Sequence, residues 1–509
     1  MSTASRIIKN TGFLYIKMGI TVLISLYTTR LILSTLGASD FGIFNIVGGA
    51  IAMLGFLNST MANATQRFMS YAEGEGILLK KIQIFNVSFL LHIFISIITI
   101  ILLLLVMYPL FHSILVIEPT RLKAAQIIYL CLIASTAFTI INVPYDAIIN
   151  AHENMLYFAL VGIFESILKL IVAFACLYTS YDKLIVYGFL MALIPFITLS
   201  IMKIYCHKHY EECVFHPVRY WNPTLVKKIA FFSGWNFLTA VSSLITFQGI
   251  GIVLNHFFGT ILNAAQGIAN QLNGQLSSLS ANMMKALNPI IVKNAGKKNI
   301  ELMNSITISG SKFSTFLILF FAVPCIIEMP YILNLWLKSV PDWTVVFCRL
   351  QLLQTIICQM ANSISTAVYA QGNIKMYAIY KSIMNLLPVL LTYICFVAGG
   401  SPIWLYIPMI IFWAIGGNLV IIYFGNKSSG LNISRFFEGI FFPVSLVSLI
   451  MFISGSIFSS FFSDSFIHLI LLIVVTTFSM LFSIFLFGLT KSEKVIVHNY
   501  IENIFHFPK

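Results

Sequence analysis

Residues 91–107 read L-H-I-F-I-S-I-I-T-I-I-L-L-L-L-V-M and contain no Asp, Glu, Lys or Arg. A run this long fits a helix crossing a hydrocarbon layer of about 30 Å. It does not fit the alternating segments of about ten residues found in outer-membrane barrels. Working outward from it, comparable runs recur near 11–36, 41–64, 84–110, 124–149, 155–178, 184–205, 229–255, 261–290, 306–329, 343–370, 376–398, 402–424, 436–458 and 465–489, about fourteen spans.

Composition agrees with that reading. Of 509 residues, 59% are hydrophobic and 9% are charged, against about 25% charged in soluble domains. The expected fold is therefore an all-α polytopic membrane protein. Arg6 and Lys9 precede a long apolar run without a small-x-small cleavage site, so this run is read as a retained first helix, not a signal peptide.

The net charge of +13 comes from 30 Lys and Arg against 17 Asp and Glu. With the amino terminus placed in the cytoplasm, 22 basic residues fall on that side, 5 fall outside and 3 stay within spans. This is the positive-inside pattern, and it places both termini in the cytoplasm. Basic residues spread over many loops form no single stripe, so nucleic acid is not an expected partner. The eight Cys are scattered without a C-x-x-C pair and read as reduced and structural.

A shift of 222 residues aligns Gly12 with Gly234, Gly37 with Gly259, Ile46 with Ile268, Met61 with Met283, Ala64 with Ala286 and Gly74 with Gly296. Six spans separate the copies, giving two parallel, pseudo-symmetric six-helix lobes. The expected divisions are 1–215, 216–430, and 431–509 with two additional helices and a cytoplasmic tail. Repeated lobes of this kind are a transporter plan in which a cavity opens alternately to each side. No loop is long enough for a catalytic domain, so the chain is not expected to be an enzyme. A glycan polymerase or ligase, with a large exterior catalytic loop, fits poorly.

Ionisable residues inside spans are costly and mark candidate sites. Lys17 and Arg30 share the first span, about 19 Å apart along a helix. Glu165 and Lys169 stand at i and i+4, placing both on one helical face; they form either a structural pair or part of a coupling site. Asp146 follows Pro144, which breaks the backbone ladder, near Asn142, Asn150, His152 and Glu153; this stretch is either a gate or a capped helix end. The start of each half is unusually polar, including Asn63 and Gln66 in the first and Trp235, Asn236, Gln248, Asn270 and Asn273 in the second. These side chains either line a hydrated cavity or hold helices together. The set His207, His209, Glu211, Glu212, Cys213 and His216 matches no metal motif, and no metal or other cofactor is expected.

Four segments carry a family resemblance: S-R-I-I-K-N-T-G-F-L-Y at the start, L-G-A-S-D-F-G-I-F-N at 36–45, Q-R-F-M-S-Y-A-E-G at 66–74, and P-Y-D-A-I-I-N-A-H-E-N-M at 144–155. The chain resembles, over essentially its whole length, the polysaccharide flippases of the multidrug/oligosaccharidyl-lipid/polysaccharide exporter superfamily. That resemblance implies two lobes that move undecaprenyl-diphosphate-linked oligosaccharide across a bacterial inner membrane for O-antigen, lipopolysaccharide or capsule synthesis. It also implies membrane lipids, a polysaccharide polymerase and glycosyltransferases as partners. Arg30, then Lys17 and Lys169, would attract the diphosphate. The alternative within the superfamily is a cation-coupled multidrug or small-molecule exporter, in which Asp146 or Glu165 couples transport to H⁺, Na⁺ or membrane potential.

Overall fold

The structure is a computed structural model and describes residues 3–52, 54–115, 117–337, 339–461, 465–490 and 493–495. Lys338, Lys491 and Lys509, counted in the charge pattern above, lie outside the described residues. The described residues form helices and connecting turns without a strand. Helices α1 (Thr3–Ala52), α2 (Gly55–Glu75), α3 (Leu78–Pro109), α4 (Leu122–Ala151), α5 (Met155–Tyr178) and α6 (Lys183–His209) build most of the first half. Helix α7 (Pro223–Gly296) then runs for 74 residues. Next come α8 (Ile300–Ile327), α9 (Met329–Trp336), α10 (Thr344–Gln359), α11 (Asn362–Gln371) and α12 (Lys375–Val397). The helical stretches α13 (Pro402–Ser429), α14 (Ile433–Phe461) and α15 (Phe466–Gly488) complete the chain.

Among the described residues, eleven helices are long and apolar enough to cross a membrane, or up to 13 when each bent pair counts as one span. The expected fourteen differ from this because α7 contains two of the apolar runs, 229–255 and 261–290, without a polar interruption between them. The break is instead a backbone kink at Gly259. Helices such as α3 and α15 leave Leu105 68% and Phe478 74% exposed, surfaces suited to hydrocarbon and not to water. The protein is a multi-pass membrane protein of all-α, two-lobe fold.

The 222-residue repeat is visible in the backbone. Gly37 breaks α1 with φ 79° and ψ 167°, and Gly259 breaks α7 with φ 77° and ψ −168°. Both conformations lie in a region that is essentially restricted to glycine. The equivalence continues at Gly76 (φ 74°) and Lys298 (φ 56°), both left-handed residues at the ends of equivalent helices.

Two compact units divide the chain. The first comprises Met1–Ala240 and Val292–Lys298. Within it α4 packs on α6 and α1 on α5. A buried core gathers Val47, Leu103, Ile128, Tyr129 and Leu184, and the Tyr129 hydroxyl donates to the Leu103 carbonyl at 2.7 Å. At one end of this unit Arg121 clamps Asp40, through Nε at 2.8 Å, and Asp182 at 2.6 Å. Asp182 also accepts from the amides of Leu184 and Ile185, capping α6.

The second unit comprises Val241–Ile291 and Asn299–Lys509. Its centre is α8, against which α10, α11, α14 and α15 pack. Polar side chains join helices here: Asn385 donates to the Ser242 and Ser243 hydroxyls at 3.1 Å, and Thr246 donates to the Asn385 carbonyl at 2.6 Å. Lys312, counted above with the cytoplasmic loops, is 1% exposed inside α8. Its Nζ lies 2.5 Å from Glu493, so a buried ammonium is balanced by the segment following α15. The hydrogen bond from Lys312 offsets the burial of the Glu493 carboxyl and holds it below its ordinary value.

Candidate functional site

Inside the first unit, α1, α4 and α5 bring four charges together. The stem of Lys17 on α1 crosses α5 at Gly162, where an added Cβ would lie 2.2 Å from Lys17 Cε. Its ammonium sits 4.3 Å from the centre of the Phe158 ring, a cation–π contact. Glu165, Asp146 and Lys169 are the charged groups that act on it electrostatically. Lys169 Nζ is 2.7 Å from Glu165 Oε1, as their i, i+4 spacing on one helical face requires. Asp146 is half-buried on α4, two residues beyond the buried Pro144, and its carbonyl accepts from the Asn150 side chain at 2.7 Å. Two carboxylates and two ammonium groups thus lie within electrostatic reach of one another, with the Glu165 and Lys169 side chains 40% and 43% exposed, so that adding or removing one proton changes the interactions of the others.

Arg30 stands apart from this cluster. It is exposed on α1, thirteen residues beyond Lys17, and forms no ion pair among the described residues.

The second unit contains a different kind of site. A cavity of about 560 Å³ straddles the kink at Gly259. Gln248, Asn255 and His256 line it before the kink and Asn263, Gln266 and Asn270 after it. Phe247 and Ile252 supply apolar surface, and Phe247 is braced edge-on by Trp413 at 5.3 Å. No carboxylate, lysine or arginine is in the wall, so recognition there rests on amide donors and acceptors and one imidazole.

The other amide-rich positions are distributed differently. Asn63 is exposed and Gln66 half-buried on α2, while Trp235 is half-buried and Asn236 buried on α7. Asn273 Oδ1 accepts from the Thr355 hydroxyl at 2.5 Å and from Ser277 at 3.4 Å, so it ties α7 to α10.

A further network joins the ends of α2, α4, α6 and α7. The last turn of α2 crosses the last turn of α7 so closely that a Cβ on Gly74 would lie 2.1 Å from the Lys293 carbonyl oxygen, and one on Gly296 would lie 2.1 Å from that of Tyr71. Residues 71 and 74 and residues 293 and 296 are repeat equivalents, so the crossing is itself pseudo-symmetric.

Charges surround the crossing. Glu73 meets Lys81 at 2.9 Å and Lys293 at 3.5 Å. Glu153 meets Lys293 at 3.4 Å and Arg6 at 3.3 Å, from a left-handed backbone with φ 58°. Glu212 accepts from His152 Nε2 at 2.6 Å. Burial would raise the Glu212 carboxyl, but the His152 hydrogen bond and the Lys81 charge outweigh it and hold the group below its ordinary value. Glu73, His152 and Glu212 bring potential ligand atoms within 4.8 Å of one another. Lys81 and Lys293 already stand against these carboxylates, which makes the cluster an ion-pair network. Sequence reading noticed His152 and Glu212 separately but missed Glu73 and Lys293, because their partners lie between 8 and more than 200 residues away and no spacing rule connects them.

No family model and no curated protein matches the chain. Similar solved structures exist. One is a MATE in the bent conformation, with 15% identity, covering 84% of this chain and 95% of that one, at a TM-score of 0.72. Another is the outward-facing conformation of a multidrug resistance MATE family transporter of the MOP superfamily, with 13% identity, coverages of 84% and 96%, and a TM-score of 0.68. A third is a MATE in complex with MaD3S, with 16% identity, coverages of 84% and 96%, and a TM-score of 0.67.

These likenesses share the fold. They also correct the expected family, function and partners: these similar structures are MATE structures and, in one case, a MOP superfamily transporter from Pyrococcus furiosus, and none is named a polysaccharide flippase. The lipid-linked oligosaccharide, the polymerase and glycosyltransferase partners, and the O-antigen and lipopolysaccharide roles fall with that family. The physical reason lies in the quoted segments themselves. L-G-A-S-D-F-G contains the Gly37 break, Q-R-F-M-S-Y-A-E-G contains the Gly74 crossing, and the 144–155 segment carries His152 and Glu153 into the ion-pair network. They report the shared backbone plan and say nothing about cargo.

Proposed function

We propose that this protein exports small organic molecules by alternating access, coupled to a cation gradient, with both termini on the cytoplasmic side. The observation supporting this reading is the grouping of Lys17, Asp146, Glu165 and Lys169 inside the first unit. A cluster of balanced charge within the apolar helices has little use in a passive anchor, whereas a coupled transporter needs a titratable or cation-binding site among them. Asp146 and Glu165 serve as the coupling carboxylates, and Lys17 and Lys169 are the counter-charges released or engaged as a cation arrives.

Cargo binds in the second unit, in the cavity lined by Gln248, Gln266 and Asn270. That wall favours polar organic molecules with several hydrogen-bonding groups and an apolar face for Phe247. Pro144 lies inside the continuous helix α4 and removes one backbone donor from its ladder, which lowers the cost of bending the Asp146 segment.

The test is transport by the full chain in proteoliposomes, with norfloxacin and ethidium as probes under an imposed pH or Na⁺ gradient. Gradient-driven movement of either probe, reduced at least tenfold by Asp146→Asn at equal protein content, is the expected result. Equal movement with and without a gradient, or full activity of both Asp146→Asn and Glu165→Gln, overturns the reading.

A further inference from the structure

The crossing at Gly74 and Gly296 holds one ionisable group whose two ring nitrogens face two carboxylates. His152 ends α4. Its Nε2 lies 2.6 Å from Glu212 Oε1 and its Nδ1 lies 3.6 Å from Glu73 Oε1. The short Nε2 contact requires a proton on that nitrogen, because a carboxylate only accepts. In the neutral ring Nδ1 then presents a lone pair to Glu73, which repels it. A second proton on Nδ1 turns that contact into an attraction, and the imidazolium ties the loop after α6 to the last turn of α2. Tyr210 stacks on the ring at 4.3 Å and 14°, fixing the plane that aims both nitrogens.

Charge balance points the same way. Facing the site are Glu73 from α2, Glu153 from the turn after α4, and Glu211 and Glu212 from the loop after α6. Against them stand Lys81 from α3, Lys293 from α7 and Arg6 from α1. Four carboxylates oppose three permanent cations, and imidazolium is the fourth. Glu73 precedes Gly74, the residue at closest approach to α7, and shares Lys293 with Glu153.

We propose that His152 is a proton-binding site that holds the last turn of α2, where it crosses α7, against the end of α4 and the loop after α6: protonation locks these ends together through Glu73 and Glu212, and proton loss releases them. This proposal rests on the alternating-access reading and assigns it a proton-operated gate separate from the Asp146 cluster. Protonation consumes one proton at Nδ1 and needs no other reactant.

The test is hydrogen exchange of the full chain in lipid nanodiscs at pH 6 and pH 8, expressed as protection factors corrected for the intrinsic pH dependence of exchange. In the native chain, residues 68–76 and 290–297 are expected to be at least fivefold better protected at pH 6. His152→Gln, which keeps a donor toward Glu212 but does not titrate, should lose that pH difference. Glu73→Gln, which removes the carboxylate facing Nδ1, should lose it too. His152→Lys should retain high protection at both pH values. Unchanged thermal unfolding and monodisperse elution show that each variant is folded.

Equal protection at both pH values in the native chain, or a full pH effect retained in His152→Gln, overturns the proposal. Neither readout uses transport. A failed gate therefore leaves gradient-driven export by the Asp146 cluster standing, and failed export with an intact pH effect strikes the functional reading alone.

Discussion

Helix α1 breaks at Gly37 and α7 breaks 222 residues later at Gly259 with nearly the same backbone angles, yet the side chains around the two breaks differ. Gln248, Asn255, Asn263, Gln266 and Asn270 correspond to Leu26, Leu33, Phe41, Phe44 and Gly48. In return, Ile252 corresponds to Arg30, and the first unit carries the Lys17, Asp146, Glu165 and Lys169 cluster. Repetition has kept the bends and crossings, which depend on glycine, and has let the chemistry diverge. One half holds charge and the other holds amides, the division expected if coupling and cargo recognition are handled by different lobes.

The strongest way to break the comparison is at the crossing, where the halves should respond alike. Gly74→Ala and Gly296→Ala each force a methyl into a backbone carbonyl, and each is expected to destabilise this arrangement by about 3 kcal/mol, the upper range for overpacking. Gly234→Ala, with nothing within 4 Å of the new atom, serves as the control. Thermal unfolding of the purified variants checks this, and tolerance of either substitution would show that the crossing is not a tight contact.

A smaller and purely conformational effect is expected at the kinks. An alanine at Gly37 or Gly259 meets no neighbour within 4 Å, so Gly37→Ala and Gly259→Ala should each cost about 2 kcal/mol from backbone strain alone. Equal losses would sharpen the equivalence, and a loss at only one would break it.

The least effect concerns a device confined to the first half. Asp40, clamped by Arg121, corresponds to Leu262, so the second half has no counterpart. Partial burial would raise Asp182, but the Arg121 hydrogen bond and the α6 amides hold it below the ordinary carboxylate value. Its contribution is therefore present above about pH 4 and is lost as the pH falls through the lower folded value. Solvent screening limits it to under about 1 kcal/mol. Thermal midpoints measured from pH 7 to pH 3 should fall less steeply in Asp182→Asn than in the native chain.

The fold was readable from the sequence because membrane spans and glycine breaks are local signals. Residues 91–107 identify a span without reference to anything distant, and Gly37 and Gly259 align by eye. The Glu165–Lys169 pair was readable for the same reason, since four residues on a helix suffice. What brings Lys17 to Phe158 and Gly162, or Glu73 to Lys293, is the packing of helices far apart in the chain, and apolar helices carry little information about which neighbour they choose. Cargo was the least legible. The segments that suggested a flippase encode bends and crossings that a MATE-type fold also needs, and His256, which lines the amide cavity, had no motif around it.

The division of labour is tested most directly by norfloxacin-driven collapse of an imposed pH gradient in proteoliposomes, comparing Asp146→Asn with the double variant Gln266→Leu, Asn270→Leu. The account predicts that Asp146→Asn abolishes the collapse while norfloxacin still binds with native affinity. It predicts that the double variant raises the norfloxacin concentration needed at least tenfold and leaves the number of protons moved per norfloxacin unchanged. Collapse at the native rate in Asp146→Asn, or a change in proton number in the double variant, would contradict it.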